Sequence, residues 1–235
     1  NNITAGTYTT MMLVGAELGR DAAIKKYDMK SKFRILPKQF SEYHGEKIFE
    51  IEKCCVSTNT MNFQSYLSCR NYSFIVHLIG HAVFKPIYKL TQKLGINWYD
   101  FSREVTNTIQ DKNFKGKFKD IYNEFCKESL DELFDSEQEA IDFYSKPENY
   151  KRLINGDVGE NLIGKYTARG LYFYDDVLTA IFQVIRKKCN GAYDEKLSTI
   201  LNSSEKWLRN IYMLNEIFKD KKEIDTKNNY KINMD

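Results

Sequence analysis

The spacing of apolar residues along the chain changes near residue 60, from a period of two to a period close to 3.6. Before that point apolar and polar residues alternate over residues 32–36 and 47–57, as they do on half-buried β-strands. Residues 43–46 between them are turn-like, so we predict an antiparallel pair. An earlier apolar run, residues 8–14, is ended by Gly15 and predicts a buried strand that leads into a loop.

From Asn62 onward, apolar residues recur at steps of three and four, which predicts a series of helices. Asn62 is itself a favourable N-cap, and we predict that the last helix begins at residues 203–205 and ends near Lys219. The polar residues 220–235 are expected to form a flexible tail. The other predicted helix boundaries are Pro86 with Gly95, Ser136 with Glu139 as a capping box, Pro147 with Gly156, and Asp175 with Arg186. The predicted fold class is therefore α+β and mainly α-helical.

Composition and charge narrow the class of protein. The chain has 235 residues with 42% hydrophobic content, enough for one full core or two small ones, and its 35 Lys+Arg against 32 Asp+Glu leave a net charge of +3. A dedicated nucleic-acid binder carries a larger basic excess, so we expect no nucleic-acid partner. The longest apolar run, residues 74–84, is shorter than the ~20 residues that cross a bilayer, so we expect no membrane partner.

The cysteines do not follow a disulfide or metal pattern. There are five, an odd number at irregular spacings, so we expect a reducing, cytoplasmic location. Cys54 and Cys55 are adjacent, but neighbouring side chains on a strand point to opposite faces. No CxxC or CxxxCxxC motif occurs in the chain, and we predict no metal site in it.

Two histidines are the residues that come nearest to a metal motif. His77 and His81 are one helical turn apart, so both imidazoles could bind one ion. The glutamate of HExxH is missing, and no third ligand is placed beside them by the sequence. We interpret them as residues of a packed helix, and keep a small metal-binding enzyme as a hypothesis that the zinc content of the purified protein tests.

The glycine-containing segment and the pairs of acidic residues suit structural roles better than anion binding or catalysis. Residues 156–160 contain two glycines before a predicted helix, but their acidic side chains repel an anion, so we interpret them as a helix connection. Asp175 and Asp176 suit the first turn of a helix, and Glu50 and Glu52 suit the solvent-exposed face of a strand. No P-loop, dinucleotide or nucleophile-elbow motif occurs in the chain.

Four segments resemble one enzyme family. Residues 8–18, YTTMMLVGAEL, resemble the last barrel strand of radical S-adenosylmethionine (SAM) enzymes that also carry a cobalamin-binding domain, where this strand runs into LPGTEL. Residues 26–37, KYDMKSKFRILP, resemble that family's KYGMKTKFRVLPR, and residues 50–63, EIEKCCVSTNTMNF, resemble its EVEEVVVATNTMSF. Residues 155–161, NGDVGEN, resemble its GExGxN helix connection.

The resemblance implies a division of the chain. Residues 1–58 are expected to be the end of a radical SAM barrel with a β extension: the terminal strand of a partial TIM-like barrel, then a short antiparallel β segment. Residues 59–219 are then a helical C-terminal domain. Val14 and Ala16 depart from the family, which has proline and threonine there. The family's CxxxCxxC loop and cobalamin domain are absent, so the resemblance implies that both lie upstream in a longer polypeptide.

The same resemblance implies the cofactors and their place. The full-length protein is expected to use a [4Fe–4S] cluster, S-adenosylmethionine and cobalamin, none of them bound by this chain alone. Ligands of parallel barrels lie at the carboxyl ends of the strands, so Leu13 and Val14 are expected to lie beside SAM. The implied partners are the upstream barrel and cobalamin domains of the same polypeptide, and a small-molecule substrate.

We therefore predict the C-terminal part of a cobalamin-dependent radical SAM enzyme. It would cap the barrel and help to shape the SAM and substrate pocket, without catalysis of its own. The alternative is a self-contained helical interaction or scaffolding module without catalysis.

Overall fold

A two-stranded antiparallel sheet and a series of helices make up the protein, which confirms the α+β, mainly helical fold class. The computed structural model describes residues 10–189 and 194–211. These form two compact units, one of residues 10–73 and 124–165, the other of the remaining described residues. The predicted tail lies outside the described residues, and the predicted boundary after residue 58 stays a prediction.

The sheet is a single hairpin of β1 (Lys30–Tyr43) and β2 (Glu46–Ser57). His44 and Gly45 join the strands with φ of 51° and 83°, the left-handed conformation of a type I′ turn. The predicted stop at Pro37 is wrong, because β1 continues to Tyr43. The register shifts between Ile35 and Phe40, so Pro37 lies in a bulge, where the hydrogen bond that proline lacks is not needed.

Short segments pair with both outer edges of the hairpin. At the β2 edge, Met11 bridges Cys54 in antiparallel sense, and the Met12 amide donates to the Lys53 carbonyl at 2.8 Å. At the β1 edge, Phe33 and Phe134 exchange two backbone hydrogen bonds of 2.9 and 2.8 Å. Each edge is therefore paired at one place, in the half of the hairpin away from the turn, within the part of the chain that the structure describes.

The helices for which the sequence carries signals begin and end close to them, with one exception, and the predicted end of the last helix near Lys219 lies outside the described residues. The Asn62 side chain caps its helix by accepting from the Ser65 amide at 2.8 Å. The last helix begins at Glu195 and not at residues 203–205, because Asp194 accepts from the Leu197 amide and starts it two turns earlier. In chain order the helices are α1 (Asp21–Tyr27), α2 (Phe63–Ile79), α3 (Lys85–Lys93), α4 (Trp98–Gln110), α5 (Lys117–Asp131), α6 (Glu137–Ser145), α7 (Pro147–Ile154), α8 (Leu162–Leu171), α9 (Tyr174–Lys188) and α10 (Glu195–Ile211).

In the first unit one face of the hairpin is covered, and the other face is covered only at the end away from the turn. One face carries Ile35 and Phe49, which pack against aromatic side chains of α6 and α7, among them Tyr144 and Tyr150. The other face carries Cys54 and Val56, which pack near Tyr66 of α2 and its neighbours. Where a face is covered, polar side chains on it need partners inside the protein.

In the second unit α9 is the central helix. It contacts α4 and α10, and eight of its fifteen residues are buried. Aromatic rings fill the rest of this core, with Phe74 close to the rings of Phe118, Tyr122 and Tyr166. None of the helices in the described residues is both long enough and apolar enough to cross a bilayer.

Candidate functional site

Leu13 and Val14, the residues that the resemblance places beside SAM, lie at the end of the segment held on β2. Leu13 is 55% exposed and Val14 is fully exposed, at 104%. Met12, just before them, is 7% exposed and hydrogen-bonded to β2. Gly15 then turns the chain with φ of 87°. The predicted buried strand over residues 8–14 is therefore wrong for the described residues, because only Met11 bridges β2 and the Leu13 and Val14 side chains are exposed.

The first unit contains a largely buried cluster of ion pairs beside the hairpin. Arg34 of β1 forms ion pairs with Glu52 of β2 and with Glu132, whose Oε1 is 3.0 Å from Arg34 Nη1. Glu132 also pairs with Arg70 of α2. The side chains of these four residues are between 3% and 15% exposed. Two cations and two anions thus share one largely buried site.

Mutual pairing keeps this cluster charged. Burial alone lowers the pKa of Arg34, but the carboxylates of Glu132 and Glu52 outweigh it and raise that pKa above its ordinary value. Cys54 lies in the same surroundings, where burial and the two carboxylates raise the pKa of its thiol to about 12 in spite of the neighbouring arginines. The cluster therefore holds a neutral thiol beside permanently charged arginines.

Some polar atoms near the cluster make no hydrogen bond to the described residues. They are Nε of Arg70 and the side-chain oxygens of Asn71 and Ser129, and all are buried. Buried groups of this kind usually bind ordered water. The cluster ties β1, β2 and α2 to the chain that follows α5. Its chemistry is that of a rigid support rather than of a reacting centre.

The sequence prediction placed Glu52 on a wet strand face, and this is wrong. Glu52 is 5% exposed, because its face of the hairpin also carries Cys54 and Val56 and is covered. The signal was present in the sequence, since residues 52, 54 and 56 share a face and two of them are apolar. Arg34 lies directly opposite Glu52 in the register, which only the pairing of the strands reveals.

The predicted acid pair before α9 has structural partners. Asp176 accepts from the Phe118 amide at 3.0 Å and so caps the start of α5. Asp175 is 3.3 Å from a guanidinium nitrogen of Arg209 on α10. Both contacts agree with the structural interpretation.

His77 and His81 are not brought together on one helix. α2 ends at Ile79, and His81 begins the next turn, where its Nδ1 accepts from the Val83 amide at 3.4 Å. Both imidazoles are exposed. Among the described residues, no group of three or more His, Cys, Asp or Glu side chains could hold a metal ion.

The cysteines of this chain do not fit an iron–sulfur cluster. Cluster ligands are thiolates that converge on one point, whereas Cys54 is a buried neutral thiol and Cys69 is exposed on α2. Leu13 and Val14 do not end a strand, since the pairing with β2 is a single bridge at Met11, but their exposed apolar side chains suit contact with adenosine.

The glycine-containing segment at residues 155–161 is a helix connection. Gly156 and Gly159 have φ of 74° and 70°. The Gly159 carbonyl accepts from the Lys38 amide in the β1 bulge at 3.0 Å, and the Asn161 side chain caps α8. Its backbone is thus used inside the first unit, as the structural interpretation predicted.

No protein-family model and no curated protein matches this chain.

Proposed function

We propose that this chain is the C-terminal part of a cobalamin-dependent radical SAM enzyme, in which it caps the barrel and helps to shape the SAM and substrate pocket. It supplies no catalysis alone. The observation that carries the proposal is the pair Leu13 and Val14, exposed at the end of a segment whose preceding residues are hydrogen-bonded to β2. The family motifs of the sequence give that exposed pair its assignment.

Exposed aliphatic side chains on a fixed backbone favour a covering group. Leu13 and Val14 lie close in sequence to Met11 and Leu18, which are also more than a third exposed. Exposed apolar residues grouped in this way along the chain suit a site that binds protein or ligand. In the proposed enzyme, the rest of the barrel and the adenosine of SAM cover it.

The hairpin and its ion cluster would serve as the support of this site. Met12 and Thr10 are bonded to Lys53 and Cys55, which flank Cys54 in the cluster. A segment held in this way keeps its position when substrate binds, as binding sites require. In this proposal the protein is cytoplasmic, its [4Fe–4S] cluster and cobalamin are held by upstream domains, and these supply the radical chemistry.

A second candidate is a self-contained helical interaction module without catalysis. It is favoured by the antiparallel bridge between Met11 and Cys54, because a barrel strand pairs with parallel neighbours. In that case Leu13 and Val14 would contact a protein partner.

The coding sequence upstream of Asn1 separates the two candidates. We expect an in-frame CxxxCxxC motif, and we expect the full-length protein, reconstituted anaerobically with iron and sulfide, to cleave SAM to 5′-deoxyadenosine. An upstream frame without that motif would leave only the interaction module.

A matched pair of variants tests the site in the full-length enzyme. Val14→Asp is expected to weaken SAM binding by about tenfold or more, since it puts a charge against an apolar contact. Ile154→Asp, at an aliphatic residue that is 64% exposed on the surface of the first unit, is the control and should leave SAM binding unchanged. Equal SAM affinity of the two variants would contradict the assignment.

A further inference from the structure

The outer edge of β2 is only partly paired. The Met12 amide donates to the Lys53 carbonyl, and the Cys55 amide donates to the Thr10 carbonyl at 3.0 Å. These bonds show that the backbone groups of residues 53 and 55 point away from β1. Backbone direction alternates along a strand, so those of Lys47, Phe49 and Ile51 point the same way. The two-residue turn at residues 44–45 requires the same alternation.

No backbone partner occupies those outward groups within the part of the chain that the structure describes. The segment that pairs with β2 leaves the edge at Gly15, before it reaches Ile51. The side chains of Lys47 and Phe49 pack on the covered face, where Lys47 Nζ donates to the Ser145 carbonyl at 2.7 Å. The outward backbone groups of Lys47, Phe49 and Ile51 therefore form a strand edge that no backbone group of the described residues pairs with.

The side chains beside this edge determine which peptide it can bind. Glu46, Ile48 and Glu50 share the solvent face of β2, and all three are exposed, Ile48 at 51%. Neither glutamate has an ion pair among the described residues. The exposed side chains beside the edge therefore alternate in character, with an apolar residue between two acidic ones.

We propose that the β2 edge at residues 47–51 binds an extended peptide strand of a partner protein, in which two basic side chains flank an apolar one. The peptide backbone pairs with Lys47, Phe49 and Ile51. Its basic residues lie opposite Glu46 and Glu50, and its apolar residue lies opposite Ile48. Strand addition of this kind draws affinity from main-chain hydrogen bonds and specificity from alternate side chains.

Charge argues for a basic partner and against a second copy of this chain. Outward-facing residues of two antiparallel strands must pair with each other. In a pair of β2 edges, Glu50 would then face Glu46, Ile48 or Glu50 of the other copy, depending on the register. Like charges placed directly opposite destabilise strand pairing, and none of these registers offers a cation.

The probe is the labelled peptide TKTVTKT, measured by fluorescence anisotropy against the full 235-residue chain. Bound antiparallel, it places its lysines opposite Glu46 and Glu50 and its third and fifth residues opposite Phe49 and Lys47. Methylation of the third and fifth backbone nitrogens removes amides that face β2, and should weaken binding by about tenfold or more. Methylation of the fourth and sixth nitrogens, which face away, is the matched control.

Reversing the charge of the two glutamates is the second part of the experiment. The double variant Glu46→Lys, Glu50→Lys changes only exposed side chains, and should lose the lysine peptide while binding TETVTET. Far-UV circular dichroism verifies its fold. No binding of TKTVTKT, equal loss with both methylated peptides, or an unchanged charge preference in the double variant would overturn the proposal. So would sedimentation showing that a second copy occupies the edge.

Discussion

Glu132 is the residue on which the buried ion cluster depends most, because it is paired with both arginines. Arg34 and Arg70 each contact its carboxylate, and Arg70 has no other ion pair among the described residues. If the charge of Glu132 were removed, Arg70, whose side chain is 9% exposed, would lose its ion pair, and Arg34 would keep only Glu52. Breaking a buried pair on one side costs more than the pair itself contributes, since it leaves an uncompensated charge.

We therefore predict that Glu132→Gln destabilises the protein by about 3–5 kcal/mol in equilibrium urea unfolding. Lys38→Gln is the control, because the Lys38–Glu160 pair has a lysine that is 70% exposed. Exposed pairs contribute about 0–1 kcal/mol, so this variant should unfold close to the wild type. A similar loss of stability in both variants would show that the cluster acts as an ordinary surface network.

Cysteine reactivity reports on the same surroundings. Burial raises the pKa of Cys54 to about 12, and the reactive form of cysteine is the thiolate. In the native protein at pH 8, a maleimide should therefore modify the exposed Cys69 rapidly and Cys54 only after denaturant is added. Peptide mass spectrometry locates the label. Modification of Cys54 at the rate of Cys69 would mean that the hairpin opens readily.

At the scale of elements, local signals predicted most boundaries, and long-range pairing decided the rest. The hairpin turn and the Asn62 cap follow from short stretches of sequence, and both are confirmed. The stop at Pro37 is wrong because a bulge absorbs the proline, and a bulge depends on the partner strand. Alternation places Glu52 on the face of Cys54 and Val56, but the packing of α2 and Leu133 that covers this face is a tertiary contact that a local pattern does not give.

The hairpin turn gives a prediction with a control of opposite sign. Gly45 has φ of 83°, so Gly45→Ala should destabilise the protein by about 1 kcal/mol through backbone strain alone, since its Cβ meets open space. Gly164 lies in the helix α8, and there a Cβ makes only ordinary contacts. Gly164→Ala should be neutral or stabilise by up to about 1 kcal/mol. Urea unfolding measures both, and equal effects would exclude the type I′ turn as the cause.

At the scale of the whole molecule, acidic and basic residues nearly balance, so acid should change the net charge strongly. At neutral pH the formal charge is +3, and protonation of the carboxylates leaves an excess of cations that repel one another. Paired carboxylates oppose this change. The Glu104 carboxylate accepts a hydrogen bond from Lys187, which lowers the pKa of Glu104. The Glu205 carboxylate accepts hydrogen bonds from both Arg186 and Arg209.

Glu205 should therefore carry part of the acid stability of the second unit. Burial raises its pKa, but hydrogen bonds from Arg209 and Arg186 outweigh burial and hold the pKa below its ordinary value. A carboxyl group with a lowered folded pKa stabilises the protein above its unfolded pKa of about 4.3, and that stabilisation is lost as pH falls through the folded pKa.

We predict that Glu205→Gln costs about 1–2 kcal/mol at pH 7 and much less at pH 3, so that the stability profiles of the variant and the wild type converge in acid. Urea unfolding at a series of pH values measures this, with Glu195→Gln, at an acid that has no ion pair among the described residues, as the control. Parallel profiles for Glu205→Gln and the wild type would mean that the link between α9 and α10 does not depend on the charge of this carboxylate.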